Sequence, residues 1–187
     1  MIDIVFPDKN EKKFLEIADK LGIELCFAYK NKNEFIGKFK NVDINIVKFK
    51  DRASIEKKPD IVFGFEFIEP YDSLHYRRSG LSQVLCKLAN EKEVALGIPF
   101  SMFNSVKHLG RLKANAKMIQ KYKNKMILAS FANSPYEMRA FHELLSFAVV
   151  FGFRPENAKK GLNNLELLIE KKRKQKEGKL FKHFEIK

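Results

Sequence analysis

Apolar positions along this chain switch repeatedly between two spacings. Residues 2–6 form a short, nearly continuous apolar run interrupted only by Asp3, the pattern of a buried strand. Over 10–21, Phe14, Leu15, Ile17, Ala18 and Leu21 recur at helical spacing, and Gly22 follows as a C-terminal cap. A second strand is predicted at 23–29. The Lys/Asn/Gly stretch 30–41 reads as a loop or a weak helix, 44–49 as a third strand, and 51–59 as a short polar connection. Residues 60–68 read as a strong fourth strand, aromatic and β-branched. A polar loop at 69–80 leads into a helix at 81–91. A fifth strand at 94–98, a helix ending near Lys123 and a sixth strand at 126–131 continue the alternation.

Ser134-Pro135-Tyr136-Glu137 combines an N-cap serine, a proline at the first helical position and a glutamate three residues on. It predicts a helix running to about Phe151, apolar nearly all round and therefore buried, which Gly152 stops. Arg154-Pro155 opens a last helix whose apolar face carries Leu162, Leu165, Leu168 and Ile169. Repeated strand–helix units with short links predict a parallel sheet. A full eight-fold barrel takes ~250 residues, and this chain has 187. A compact or irregular TIM-like α/β barrel with surrounding helices fits best, and a doubly wound open sheet is the alternative. Internal repeats are absent and no linker precedes the tail. The expected organisation is one barrel-like domain at 1–170 followed by a basic C-terminal tail at 171–187.

Charge changes the picture. The chain carries 36 Lys and Arg against 23 Asp and Glu, a formal charge of +13. A globular domain this basic attracts polyanions, with RNA or DNA the leading candidates, unless the lysines merely follow a Lys-rich genome. Clustering separates those two origins. Residues 104–125 hold Lys107, Arg111, Lys113, Lys117, Lys121, Lys123 and Lys125 and no acidic residue. On a helical wheel Lys107, Arg111, Lys113, Lys117 and Lys121 fall on one side, and Leu109, Leu112, Ala116 and Ile119 on the other. Like charges at i and i+4 oppose each other, and a polyphosphate partner would relieve that repulsion.

The loop Asp72-Ser73-Leu74-His75-Tyr76-Arg77-Arg78-Ser79-Gly80 is the second candidate. Arginine forks onto phosphate, and Tyr or His stacks on unpaired bases. One of its arginines is expected to pair with Asp72 or Glu66 and hold the loop. It leaves the C-terminal edge of the sheet, where the loops carrying His108 and Arg139 also emerge and where α/β barrels collect binding sites. From 154 to 187 there are 11 basic and 5 acidic residues. Lys171, Lys172 and Arg173 in that tail are either a solvated helix end or a phosphate-contacting arm.

Enzymatic chemistry finds little support. The phosphate-loop, dinucleotide and nucleophile-elbow motifs are absent. His75, His108, His142 and His183 show no metal-ligand spacing, and Cys26 and Cys86 stand apart. Asp3, Glu66 and Glu69 lie at strand ends, where barrel carboxylates commonly serve as hydrogen-bonded partners. The expectation is no catalytic residue and no metal ligand in this chain. The two cysteines read as reduced, buried thiols and so as a cytoplasmic protein. No apolar run reaches the ~20 residues of a membrane span, and the strand-like, acidic start is no signal peptide.

His75-Tyr76-Arg77-Arg78-Ser79-Gly80-Leu81-Ser82-Gln83-Val84-Leu85-Cys86-Lys87-Leu88-Ala89 resembles the signature of the ribonuclease P protein component 3 family, archaeal relatives of a eukaryotic ribonuclease P/MRP subunit. The similarity continues through Val94-Ala95-Leu96-Gly97, Ser134-Pro135-Tyr136-Glu137-Met138-Arg139 and Pro155-Glu156-Asn157-Ala158. The resemblance implies an irregular barrel related to the polymerase and histidinol phosphatase (PHP) metal-hydrolase fold. It implies a ribonuclease P subunit that pairs with ribonuclease P protein component 2, meets precursor tRNA indirectly, and supports a catalytic RNA that uses Mg²⁺ to remove 5′ leaders. The related hydrolases carry His-x-His ligands that this sequence lacks. The residues expected to meet RNA are His75, Tyr76, Arg77, Arg78, Ser79, Lys107, His108, Arg111, Lys113, Lys117, Lys121, Arg139, Lys171, Lys172 and Arg173. A stand-alone metal-dependent phosphoesterase on a related barrel is the alternative.

Overall fold

A computed structural model describes residues 1–31, 34–75 and 77–184, with side chains described through 178. In chain order the elements are β1 (Ile2–Val5), α1 (Glu11–Leu21), β2 (Glu24–Asn31), β3 (Glu34–Phe39), β4 (Val42–Lys48), α2 (Ala53–Glu56), β5 (Ile61–Phe63), α3 (Gln83–Glu91), β6 (Ala95–Pro99), α4 (Val106–Lys121), β7 (Met126–Ala129), α5 (Phe141–Val150) and α6 (Pro155–Phe184). The strands lie side by side in sequence order. A bridge from Val5 to Ala132, with Phe6 N donating to Ala132 O at 2.8 Å, brings the first strand to the last. The result is a nearly closed, TIM-like barrel ringed by helices.

The sheet is not wholly parallel. β1–β2 and the run β4 to β7 are parallel, but β2–β3 and β3–β4 are antiparallel. The stretch read as a loop or weak helix supplies β3. Its link to β4 turns at Lys40, whose φ is 52°, and so tight a connection can only join antiparallel neighbours. Gly37 makes the strand fit, because a Cβ there would lie 3.0 Å from both Cys26 Sγ and Ile46 Cδ1. The strong fourth strand is also shorter than its sequence suggests. Gly64, at φ 86°, turns the chain out of β5 into a 3-10 turn at Phe65–Phe67. Hydrophobicity alone does not distinguish a buried strand from a buried turn.

The helix expected from Ser134 to Phe151 is split in two. Glu137 Oε2 accepts from the N–H groups of Asn133 and Ser134 and starts a 3-10 turn at Pro135–Glu137. Glu143 Oε2 then accepts from Ala140 N at 3.0 Å and starts α5 afresh. Only Leu144 and Ala148 of α5 are buried, and Val150 is exposed, so it packs by one face rather than all round. Gly22 caps α1 in the left-handed conformation, as its position predicts.

Two apolar layers result. Val62, Leu96, Leu128, Leu112, Ala116, Leu144 and Leu162 lie between sheet and outer helices. Ile4, Ile44, Ile46, Ile61, Phe63, Ala95, Ile127 and Phe131 fill the barrel interior. Helix α6 serves both layers. Its Ala158 and Leu162 belong to the outer one, whereas Leu165, Leu168 and Ile169 close the interior. It then runs past residue 170 without a break, so the tail expected to start at 171 is a continuation of that helix. Both cysteines are free and buried.

The seam between β1 and β7 is held by a buried carboxylate. Asp3, 0% exposed, accepts from Ser130 N at 2.6 Å, Ser130 Oγ at 2.5 Å and Ile4 N at 2.9 Å. Burial dominates and lifts its pKa to about 6, although the hydrogen bonds from Ser130 and Ile4 pull the other way. Removing the hydroxyl leaves a buried oxygen short of a donor. Ser130→Ala is therefore expected to lower unfolding stability by about 1–3 kcal/mol in urea titrations. An unchanged midpoint would show that the seam does not depend on this bond.

Candidate nucleic-acid interface

Both mouths of the barrel are filled. At the C-terminal mouth Phe6 packs on Phe35 with ring centroids 4.7 Å apart, and Phe63 on Phe131 at 4.9 Å. Gly97 makes room for these rings, since a Cβ there would lie 3.0 Å from Phe63 Cβ. At the N-terminal mouth the apolar face of α6 is the plug. Chemistry or binding must therefore use the outside of the barrel.

The loop after β5 is built around Arg111. Its Nε donates to Asp72 Oδ1 at 2.7 Å, and Nη1 donates to the carbonyls of Glu66 and Glu69 at 2.9 and 2.6 Å. Nη2 also lies 2.7 Å from Asp72 Oδ1. The residue is 0% exposed. This corrects its assignment to the outward lysine strip. Arg111 sits at the strip's edge, next to Asn115 one turn on, and that polar edge faces the loop rather than water. A buried guanidinium demands partners, and loop 66–72 supplies them to Nε and Nη1, while Nη2 has only the proximity of the Asp72 carboxylate. Partial burial pulls the Asp72 pKa up, but hydrogen bonds from Arg111 and Arg78 N outweigh it and hold the carboxyl below its ordinary value.

Asn115 completes the anchor by donating to Glu66 Oε1 at 2.8 Å and Ser79 O at 2.9 Å. Glu66 is buried, and burial raises its pKa to about 7, against the opposing hydrogen bond from Asn115. Much of the stretch 75–89 is thus spent on docking. A Cβ on Gly80 would lie 2.0 Å from Phe65 O, Leu81 and Cys86 are buried, and Ser82 Oγ caps α3 by accepting from Leu85 N at 3.3 Å.

Around this anchor lie most of the residues expected to meet RNA. Arg77 is exposed and rests on α4, donating to Gly110 O at 3.3 Å; a Cβ on Gly110 would lie 2.8 Å from its guanidinium. Arg78 holds the loop, donating through Nε to Ser73 Oγ at 3.0 Å and through Nη1 to Glu69 at 3.3 Å. An arginine does anchor the loop, as expected, but where the expectation named Asp72 or Glu66 the Arg78 guanidinium meets Glu69, and Asp72 accepts from the backbone N of Arg78. Lys107 reaches Pro70 O at 2.9 Å, and His75 is exposed. His108 is partly buried against Ser105 and Phe67, and burial followed by Lys107 and Arg111 lowers its pKa. Lys113, Lys117 and Lys121 are exposed along α4. Arg139 stays on this side, bonded to the carbonyls of Tyr136 and Met138 and lying 5.5 Å from the Phe100 ring centroid. Tyr76 lies outside the described residues, but Tyr71, Leu74, Val106 and Tyr136 are exposed beside the loop elements.

Lys171, Lys172 and Arg173 are not part of this rim. They sit at the opposite, N-terminal end of the strands. Lys171 pairs with Glu93 at 2.8 Å, Lys172 pairs with Asp60, and Arg173 faces Glu177 along the helix at 3.6 Å. The carboxylates considered as metal ligands are also engaged, Asp3 and Glu66 in buried hydrogen bonds and Glu69 with Arg78. Among the described residues no group of three or more His, Cys, Asp or Glu side chains is placed to hold a metal ion. No described helix is long and apolar enough to cross a membrane.

Sequence reasoning expected Asp72 to hold the loop but paired it with a loop arginine rather than Arg111, and it missed Gly110 and Asn115 as organisers of the site. The visible signal was Asn115 four residues after Arg111 on an otherwise apolar face, an arrangement that suits two side chains sharing one buried polar neighbour.

Fold and surface together define a TIM-like barrel protein with plugged mouths and a basic outer rim. No family model matches the chain. It is 31% identical over 169 residues to ribonuclease P protein component 3 of Methanosarcina mazei, an alignment covering 84% of this chain and 68% of that protein. The counterpart from Methanosarcina acetivorans is 31% identical, covering 81% and 66%, and that from Methanosarcina barkeri 32% identical, covering 82% and 64%. The chain belongs to the ribonuclease P protein component 3 family. It spans about two thirds of the length of these relatives. A chain in a cryo-EM structure of archaeal ribonuclease P with mature tRNA shares the fold, with a TM-score of 0.53 and 16% identity over 91% of this chain and 80% of that one.

The Glu66 proton gives the anchor a pH signature. The carboxyl moves from 4.5 to about 7 on folding. The folded state therefore holds this proton more tightly, and the group's contribution is complete below pH 4.5 and lost as pH rises through 7. Glu66→Gln removes that titration. The variant is expected to gain roughly 3 kcal/mol on the parent between pH 4.5 and 8. Denaturation profiles that run parallel across this window would refute the buried, proton-binding Glu66.

Proposed function

We propose that this chain is a non-catalytic protein subunit of ribonuclease P, supporting the RNA of that particle in the removal of 5′ leaders from precursor tRNA. Family membership supplies the particle. The observation that supports an RNA-facing role is the exposed, acid-free lysine strip of α4, Lys107, Lys113, Lys117 and Lys121, lying beside a loop that the buried Arg111 pins through Asp72. A strip of one sign next to a rigid edge fits the phosphates of a folded RNA, with Arg77 and His75 at the margin for bidentate or stacking contacts. Arg111 serves as a positioning residue in this reading. Pairing with ribonuclease P protein component 2, a cytoplasmic location, and Mg²⁺ held by the RNA subunit rather than by this chain belong to the same reading.

Reconstitution of an archaeal ribonuclease P particle with variants of this chain tests it. Lys113→Gln/Lys117→Gln/Lys121→Gln is expected to fold as the parent does, to weaken RNA binding, and to lower the salt slope of log K by roughly one per lost phosphate contact. Cleavage of precursor tRNA at limiting protein should fall in parallel. Parent-like reconstitution would remove the α4 strip from the interface. Turnover of phosphate esters or precursor tRNA by the purified chain alone, with Mn²⁺, Zn²⁺ or Mg²⁺, would instead establish a stand-alone phosphoesterase.

A further inference from the structure

We infer that a second RNA-binding site lies at the opposite end of the barrel, in a groove between the end of α4 and the start of α6 that takes the sugar–phosphate backbone of a single RNA strand. This inference rests on the proposed role as an RNA-bound subunit and adds a surface that the rim does not include.

The groove encloses about 500 Å³ and is lined by Lys123, Lys125, Arg154 and Lys160, with Asn124 beside them and no carboxylate in its wall. These cations come from two separate elements, and both are fixed. Gln120 Oε1 accepts from Arg154 N at 2.8 Å while its amide donates to Gly152 O at 2.9 Å, so the end of α4 holds the entry to α6 in place. Asn164 donates to Met126 O at 2.7 Å and ties the first half of α6 to the start of β7. Lys123, Arg154 and Lys160 are exposed, and Lys125 is half-buried.

The carboxylates that act on Lys125 are already engaged. Glu93 is paired with Lys171, and Asp60 with Lys172. Lys125 lies within electrostatic reach of Glu93, Asp60 and Lys171, yet it makes no ion pair among the described residues. Burial and the neighbouring Lys171 both disfavour its charged form. A pinned groove whose wall carries cations and no carboxylate is stabilised by an external anion.

Four cations spread over two segments of the chain suit the successive phosphates of a nucleic-acid strand better than one small anion. Asn124 is 8% exposed, with its amide nitrogen donating to Cys86 O and Asn90 Oδ1 at 2.7 Å each. Its Oδ1 has no partner among the described residues. Asn124 thus braces the groove wall through its amide, with its Oδ1 closed off from water.

Fluorescence anisotropy with an archaeal ribonuclease P RNA transcript tests the groove, using Lys123→Gln/Lys160→Gln beside a rim variant, Lys113→Gln/Lys117→Gln, and the parent. Thermal unfolding of all three checks the fold, since the substituted side chains are exposed. The groove variant should bind roughly tenfold or more weakly at about 0.15 M salt, with a salt slope reduced by about two. Combining both pairs should lower the slope further than either alone. A groove variant that binds as tightly as a binding parent overturns the second site and leaves the proposed function standing. A parent that does not bind the transcript overturns both. Unchanged RNA binding with failure to enter the reconstituted particle would assign the groove to an acidic protein face and overturn the RNA assignment.

Discussion

A carboxylate without access to water joins the first strand of this barrel to the last. Asp3 draws its donors from its own strand and from Ser130, across 127 residues of sequence. The desolvation of an acid is costly and is offset only if the seam is in register, because a slip would leave Asp3 buried without a donor. Register at this seam places β7, and through β7 the loop that carries Arg139 and the segment that receives α6. The same closure brings Phe131 onto Phe63, which fills the mouth where barrels of this type usually receive ligands.

With the interior filled, function moves to the outside, and there electrostatics divides the labour. Charges that find a partner within the chain organise the surface, whereas the others are available to outside partners. Arg111, Asp72 and Arg78 shape the loop after β5, leaving Lys113, Lys117 and Lys121 to face water. At the other end Lys171 and Lys172 engage Glu93 and Asp60. Equal-looking basic residues thus play opposite roles, and net charge says little about which are which.

The strand–helix alternation, the Gly22 cap, the capping box at Ser134 and the apolar face of α6 were all legible in the sequence because each is a local pattern. What escaped depends on distant partners. β3 looked like a polar loop because its packing relies on Gly37 fitting Cys26 and Ile46. The turn after β5 depended on the left-handed Gly64 within an apolar run. Arg111 shares its wheel position with lysines and differs only in having Asp72 and the carbonyls of Glu66 and Glu69 opposite it. The family signature at 75–89 was readable as a string, but its glycine and serine roles became clear only once Phe65 and α4 lay against it.

The plugging of the barrel by α6 has a consequence for how the protein is made. The leucines that seal the interior are synthesised after every strand, so a growing chain cannot complete its core while those residues remain in the ribosome. The seam closes late as well, since β1 must wait for β7, and such long-range pairing slows folding. Through that interval the chain already carries the lysines of α4 but lacks the sealed barrel that fixes their spacing. A nascent chain therefore exposes its positive charge to polyanions before its core is sealed. Emergence of the final helix is the step that completes the core and fixes the spacing of those lysines.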